Sequence, residues 1–315
     1  MNLFSTLATA HHFPMPIVDA HHHLWDLSAG HYPTKQDQYD DNFFLGDYRK
    51  ICCDYMPTDY VGALDGYRVI GSVHIQAARA MDEQLAETEW LETMHARFGV
   101  PSVVVGHVSF VQPDCAAILE GHARSALMRG IRSRPMTSPG PNVSVAGAPG
   151  TMQDDRWRRN FALLQKHGMS WDMRIPYWHL EEGAEVARSF PGIPMVVNHT
   201  GLPLDRSDEG LAIWRKGLAA LADCPNVVIK ISELGLPHGT WDIPSNIRVV
   251  REAATIFGPD RIIFASNLPV ASLSTTFGGI VGVMREALAG ESEEMLGKFF
   301  ARNAIRFYRI PLQTP

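Results

Sequence analysis

Residues 17–25 read I-V-D-A-H-H-H-L-W, a β-branched start that ends in three histidines. The opening predicts a strand, and the histidines stand where an open nucleotide-binding sheet would carry a glycine-rich phosphate loop. Seven further short apolar runs follow, at 69–76, 102–109, 129–133, 170–175, 194–199, 227–233 and 261–267. Between them lie helical patterns. The stretch 152–167 puts Trp157, Phe161 and Leu164 on one stripe, with Thr151 and Asp154 predicted as a capping box and Gly168 as the stop. Another, 209–222, aligns Leu211, Trp214, Leu218 and Leu221. Strands that alternate with helices need crossover connections and so form a parallel sheet. Eight such units predict an α/β fold of the closed (β/α)8 TIM-barrel type.

The chain has 315 residues, of which 45% are hydrophobic and 20% charged, and no break in composition marks a second domain. The expectation is one barrel over 1–315, with long loops at about 24–56 and 134–151 acting as lids or pocket walls. A net charge of −6 argues against a nucleic-acid or polybasic membrane surface, which leaves a small molecule as the expected partner. A homo-oligomer is compatible with the sequence. Cys52, Cys53, Cys115 and Cys224 have no metal-site spacing and are expected to be reduced thiols in a cytoplasmic protein. The segment MNLFSTLATAHH lacks the basic start of a signal peptide, and no apolar run approaches the roughly 20 residues of a membrane span. There is no G-x-G-x-x-G, Walker A or G-x-S-x-G motif.

The carboxyl ends of barrel strands carry the chemistry in this architecture. Here they offer Asp19, His21 and His23 on strand 1, His74 and Gln76 on strand 2, and His107 and Ser109 on strand 3. Arg132 and Arg134 follow on strand 4, Asp172 and Arg174 on strand 5, and His199 on strand 6. Strand 7 gives Lys230, Ser232 and Glu233, and strand 8 ends at Asn267. Period-two alternation puts His21 and His23 on one side, about 7 Å apart at Cα, so both can reach one ion or one substrate oxygen. His199, after the apolar run MVVN, is a third imidazole suited to the barrel mouth. Trp25 is placed to shape the pocket, and Tyr177 and Trp178 to form a wall. His74 and His107 fit either a pocket floor or a hydrogen-bonded barrel interior. His95, His122 and His167 lie in helical stretches and are expected to be solvated.

VDAHHHLWD, QAARAMDEQLAETEWLE, MRGIRS, VVNHTGLP, VVIKIS, FGPDRIIFASNLPV and FFARNAIRFYRI, in this order over about 17–310, resemble the amidohydrolase-2 branch of the amidohydrolase superfamily. The similarity is strongest to the group of 2-pyrone-4,6-dicarboxylate lactonase and the sugar-acid lactonases. It implies a TIM-barrel hydrolase that opens a lactone, with His21, His23 and His199 matching the family histidines. It also implies either no required cofactor or one divalent metal, such as zinc, on those three histidines. A metal-assisted decarboxylase or hydratase of an aromatic or unsaturated acid is the alternative that the same motifs allow. The family's strand-8 aspartate is replaced by Asn267, within A-S-N-L-P.

An amide can orient a group but cannot accept the proton of water as a carboxylate does. The proton acceptor is therefore sought first at His199, then at Glu233 or Asp172. Asp19 is expected to fix the tautomer of His21 or His23. Arg132 and Lys230 supply positive charge for a substrate carboxylate or an oxyanion, with a buried ion pair as the structural alternative for Lys230.

Overall fold

The computed structural model describes residues 2–6 and 13–312. Residues 7–12, including His11 and His12 of the N-terminal segment weighed above, lie outside them. Eight parallel strands form one sheet in the order β1 to β8. They are β1 Ile17–His22, β2 Val69–Ile75, β3 Val103–Gly106 and β4 Met128–Ile131. β5 Ser170–Met173, β6 Met195–Val197, β7 Val227–Ile231 and β8 Ile262–Phe264 complete the set. Each occupies an expected run, and most of the runs extend beyond the observed strand at the carboxyl end. Those extra residues have left the ladder to form the mouth.

The sheet is joined at its open end by residues of the site. His22 pairs with Leu268, the His23 amide donates to the Leu268 carbonyl at 2.8 Å, and the Asn267 amide donates to the His21 carbonyl at 2.7 Å. Asp19 reinforces this seam: its carboxylate accepts from the Ser266 amide at 2.8 Å and from the Ser266 hydroxyl at 2.6 Å. The β1–β2 ladder shifts register between Asp19 and His22. This irregularity defeats simple alternation. Asp19 accepts a bond from the Tyr60 hydroxyl at 2.9 Å, and His22 stacks on the same ring at 4.1 Å. Asp19 thus makes no bond to an imidazole nitrogen, contrary to its expected role.

Helices cover the strands as the apolar stripes require. Helix Asp208–Ala222 buries Leu211, Trp214, Leu218 and Leu221, and Ser207 caps it by accepting from the Gly210 amide. The predicted 152–167 helix begins later, because Asp154 is itself the cap, accepting from the Arg156 amide. It runs Asp155–Phe161 and resumes as Leu163–Lys166. Trp157, Phe161 and Trp171 pack edge to face or stacked within the main core. Among the described residues no helix is long and apolar enough to cross a membrane. The four cysteines are free thiols.

Under the barrel mouth lies a buried polar cluster. Lys230, fully buried, donates to Asp172 at 2.5 Å, and Tyr308 donates to both oxygens of the same carboxylate at 2.9 and 3.0 Å. Asn198 donates to it at 3.1 Å. A charge pair so deep is tolerated because Lys230, Asn198 and Tyr308 together supply donors to the carboxylate.

Candidate active site

Three site residues sit in the left-handed backbone region that non-glycine residues seldom adopt: His199 at φ 57°, Glu233 at 48° and Asn267 at 61°. Each follows a strand end closely. The chain turns sharply off β6, β7 and β8 there, which aims side chains across the mouth at a cost on the order of 1–3 kcal/mol apiece.

The imidazoles converge as the sequence predicts. The His21 ring centroid is 4.5 Å from that of His199 and 5.0 Å from that of His23. Their partners define their chemistry. Arg132 Nη1 donates to His21 Nε2 at 3.3 Å; since a guanidinium cannot accept, that nitrogen bears no proton and Nδ1 carries it. His23 Nδ1 donates to the Ile75 carbonyl at 2.6 Å, and its Nε2 lies 3.2 Å from Asn267 Oδ1. His199 Nδ1 meets the Ser232 hydroxyl at 3.2 Å. Burial, and then neighbouring cations, hold all three well below the usual histidine range, so they are neutral at physiological pH.

Asn267 also donates from Nδ2 to Glu233 Oε2, leaving Glu233 Oε1 buried without a hydrogen bond. Burial pushes the Glu233 carboxyl up to about 7.

A cavity of ≈190 Å³ opens onto His23, His199 and Asn267. The 24–56 segment lines it with Trp25, Phe43, Tyr48 and Ile51. Trp25 is fixed by its indole bond to the Cys53 carbonyl at 2.6 Å. Tyr48 ties the loop to itself, donating to Thr34 and accepting from the Asp40 amide, both at 2.8 Å. Four cations reach this cavity: Lys35, Arg132, Arg134 and Arg174. Lys35, missed in the sequence because it lies in the irregular loop, donates to the Ala77 carbonyl at 2.7 Å and sits 4.3 Å from the Trp25 ring centre. Burial pulls it down to about 8. Arg132 is committed to His21 and to the Gln76 carbonyl, at 2.6 Å. Arg134 and Arg174 make no hydrogen bond or ion pair to a described residue. Arg174 is lowered to about 9 by burial and then by Arg134.

Several expected pocket residues stand elsewhere. Asp172 and Lys230 neutralise each other below the mouth and do not line the cavity. His74 lies behind His23, accepting from the Leu24 amide at 3.2 Å with Glu87 3.7 Å from its other nitrogen. Trp178 meets the other long loop instead, donating to Ser138 at 3.0 Å, and Tyr177 is buried in the main core against Trp178. His122 is fully buried and not solvated, bonded to Thr88 at 2.9 Å and to the His107 carbonyl at 2.9 Å. A larger groove of ≈720 Å³ on the outer helices, lined by Arg251, Ala254 and Met295 among others, contains none of the strand-end side chains.

The family model described as amidohydrolase matches residues 18–310. The chain belongs to the amidohydrolase family. This amidohydrolase is 34% identical over 296 residues to an uncharacterized protein, y4mH, of Sinorhizobium fredii, covering 93% of this chain and 98% of the relative. It is 27% identical to an L-fucono-1,5-lactonase of Burkholderia ambifaria, covering 93% and 95%. A solved Burkholderia multivorans amidohydrolase with bound zinc superposes with a TM-score of 0.74 at 23% identity, covering 94% of this chain and 99% of that one. Family and relatives together make this chain an enzyme of the lactonase-like hydrolase type.

The zinc of that relative prompts a test of fit. Among the described residues no three His, Cys, Asp or Glu side chains are grouped to hold an ion. His21 Nε2 is turned to a guanidinium, both His23 nitrogens are engaged, and the strand-8 position offers an amide. A dication here would share its ligands with Arg132 and have no anionic donor. The residues do not fit a metal as they are arranged.

Proposed function

We propose that this amidohydrolase hydrolyses the lactone of a small acid that carries a free carboxylate, through attack of water on the ring carbonyl. The observation that carries this is the pair of unpaired guanidiniums, Arg134 and Arg174, in one cavity with neutral His199. Arg174 is half-buried and Arg134 exposed at the wall of this cavity, and neither is spent on a protein acceptor, so both guanidiniums are free to meet an anion that arrives with the substrate. The sugar-acid lactonases among the relatives support the reaction class, with an L-rhamnono-gamma-lactonase of Scheffersomyces stipitis, 24% identical over 192 residues, beside the fuconolactonase.

In this reading Arg174 and Arg134 grip the carboxylate and Trp25 and Phe43 pack on the ring. His199, held by Ser232, takes the proton of the attacking water and returns it to the ring oxygen as the C–O bond of the lactone breaks. The oxyanion that forms on the carbonyl faces the positive field of Arg132, which is oriented beforehand by Gln76 and His21. Burial, and then Arg174, Arg132, Lys230 and Arg134, make His199 a weak base before substrate binds. A bound carboxylate cancels part of that field, so the correct substrate strengthens its own base. No step is routed through a metal, because the donor set does not fit one.

The test is a proton-release assay over lactones with matched rings, with and without a carboxylate substituent. Turnover of the carboxylated members is expected, and its loss in His199→Ala. Folded protein that opens none of them would refute the proposal.

A further inference from the structure

We propose that a second cavity beside the histidine pocket is a subsite for a hydroxylated arm of the substrate. This inference rests on the lactone-acid reading above and extends it. The second cavity has a volume of ≈390 Å³ and shares Thr34, Ala78 and Arg134 with the first. The histidine pocket alone, at ≈190 Å³, is smaller than the roughly 300–1,000 Å³ of ordinary small-molecule sites. With its neighbour it falls within that range.

The lining of the second cavity specifies the ligand. Gln76 Oε1 is taken by the Ala78 amide at 2.7 Å, which fixes the amide and leaves Nε2 without a hydrogen bond to a described residue. The His107 ring and the Ser109 hydroxyl likewise make none, although both belong to the cavity wall. Burial holds His107 down to about 4, so its ring is neutral and offers one donor and one acceptor. The other cation here, Arg79, is spent on Glu83 at 2.6 Å and on the Ala29 carbonyl at 2.8 Å. What remains of the polar lining beyond Arg134 is an amide, an imidazole and the hydroxyls of Thr34, Ser109 and Ser133. Neutral groups that both donate and accept match hydroxyls better than they match a second charge or an apolar tail. The carboxylate is therefore held between Arg174 of the histidine pocket and Arg134, which both cavities share, and a polyhydroxy chain runs past it towards His107.

Calorimetric titration of the whole protein with two acids tests this without requiring turnover. D-gluconate carries a hydroxylated chain, and L-lactate carries the same carboxylate without one. Wild-type protein should bind gluconate at least tenfold more tightly than lactate. Ser109→Phe, which fills the second cavity, should bring gluconate to the level of lactate and leave lactate unchanged. His107→Ala, which adds no bulk, should weaken gluconate at least threefold and lactate not at all, so the subsite stands tested even if the phenylalanine variant does not fold. Equal binding of the two acids by wild-type protein, or a preference that survives in both variants, overturns the arm subsite alone. Binding of neither acid overturns the anion pocket and the subsite with it.

Discussion

Asn267 bridges His23 and Glu233, with its amide oxygen 3.2 Å from His23 Nε2 and its amide nitrogen donating to Glu233 Oε2. His23 must donate from Nδ1 to the Ile75 carbonyl, so its neutral ring presents an acceptor to Asn267. Two acceptors face each other unless the amide turns over, and a turned amide needs a protonated Glu233 as its donor. Burial drives Glu233 in that direction and His23 away from the imidazolium, so the neutral His23 and protonated Glu233 pairing is the stable one below pH 7.

Asn267→Asp should therefore reduce activity. It sets a second carboxylate against Glu233, raises the apparent pKa of the pair and places negative charge beside an anion site. We expect kcat/KM at pH 7 to fall about tenfold or more, by steady-state kinetics on the substrate the wild-type enzyme prefers. A gain would mean that the amide marks a decayed catalytic centre.

Glu233 sets the pH dependence. Above about 7 it becomes a carboxylate within electrostatic reach of Arg174 and competes with the substrate's own. KM should rise through that pH in the wild type and stay flat in Glu233→Gln. Stability follows the same group. Its folded pKa lies above the unfolded value of 4.5, so the folded state binds the extra proton between pH 4.5 and about 7, and stability falls as pH rises across that window. The change is on the order of 3 kcal/mol. Urea unfolding at pH 5 and pH 8 checks it, and the glutamine variant should lose this contribution.

Lys230→Met should act on the fold and not on substrate binding. It strips Asp172 of its counter-charge in a fully buried site, which costs about 3 kcal/mol. Thermal unfolding should show the loss, with KM near wild type in the surviving fraction. A large KM change at unaltered stability would put Lys230 in contact with substrate after all.

The 134–151 loop is pinned by one imidazole. His179 Nε2 accepts from the Ser138 amide at 2.9 Å, its Nδ1 lies 3.0 Å from Glu182, and Trp178 adds its own bond to Ser138. His179→Ala should expose the loop to limited proteolysis within 136–150 at a rate at least several-fold above wild type. Unchanged cleavage would show that the aromatic packing alone suffices.

The barrel was legible because eight short runs rich in β-branched or apolar residues alternate with helical stretches such as 209–222, whose apolar residues recur with a 3.6-residue period. The convergence of His21, His23 and His199 followed from the same strand ends. The errors have local physical causes. The β1 register shift, which alternation cannot foresee, moved Asp19 away from the imidazoles. Asp172 and Lys230 met across the barrel, and nothing in a one-dimensional pattern distinguishes a charge that finds its partner from one that awaits a ligand. Lys35 came from a loop without periodicity. Arg134 and Arg174 were visible as strand-end residues, but only the structure distinguishes them from Arg132, whose Nη1 and Nη2 are held by His21 and the Gln76 carbonyl.

The central claim, that Arg134 and Arg174 read a carboxylate on the lactone, is tested most directly by kcat/KM for one matched pair of lactones in wild type and Arg174→Ala. The pair should share a ring and differ only in a carboxylate. The account predicts that wild type prefers the carboxylated member at least tenfold and that Arg174→Ala loses most of this preference through KM. Equal turnover of the two by wild type, or a preference untouched by the substitution, would contradict it.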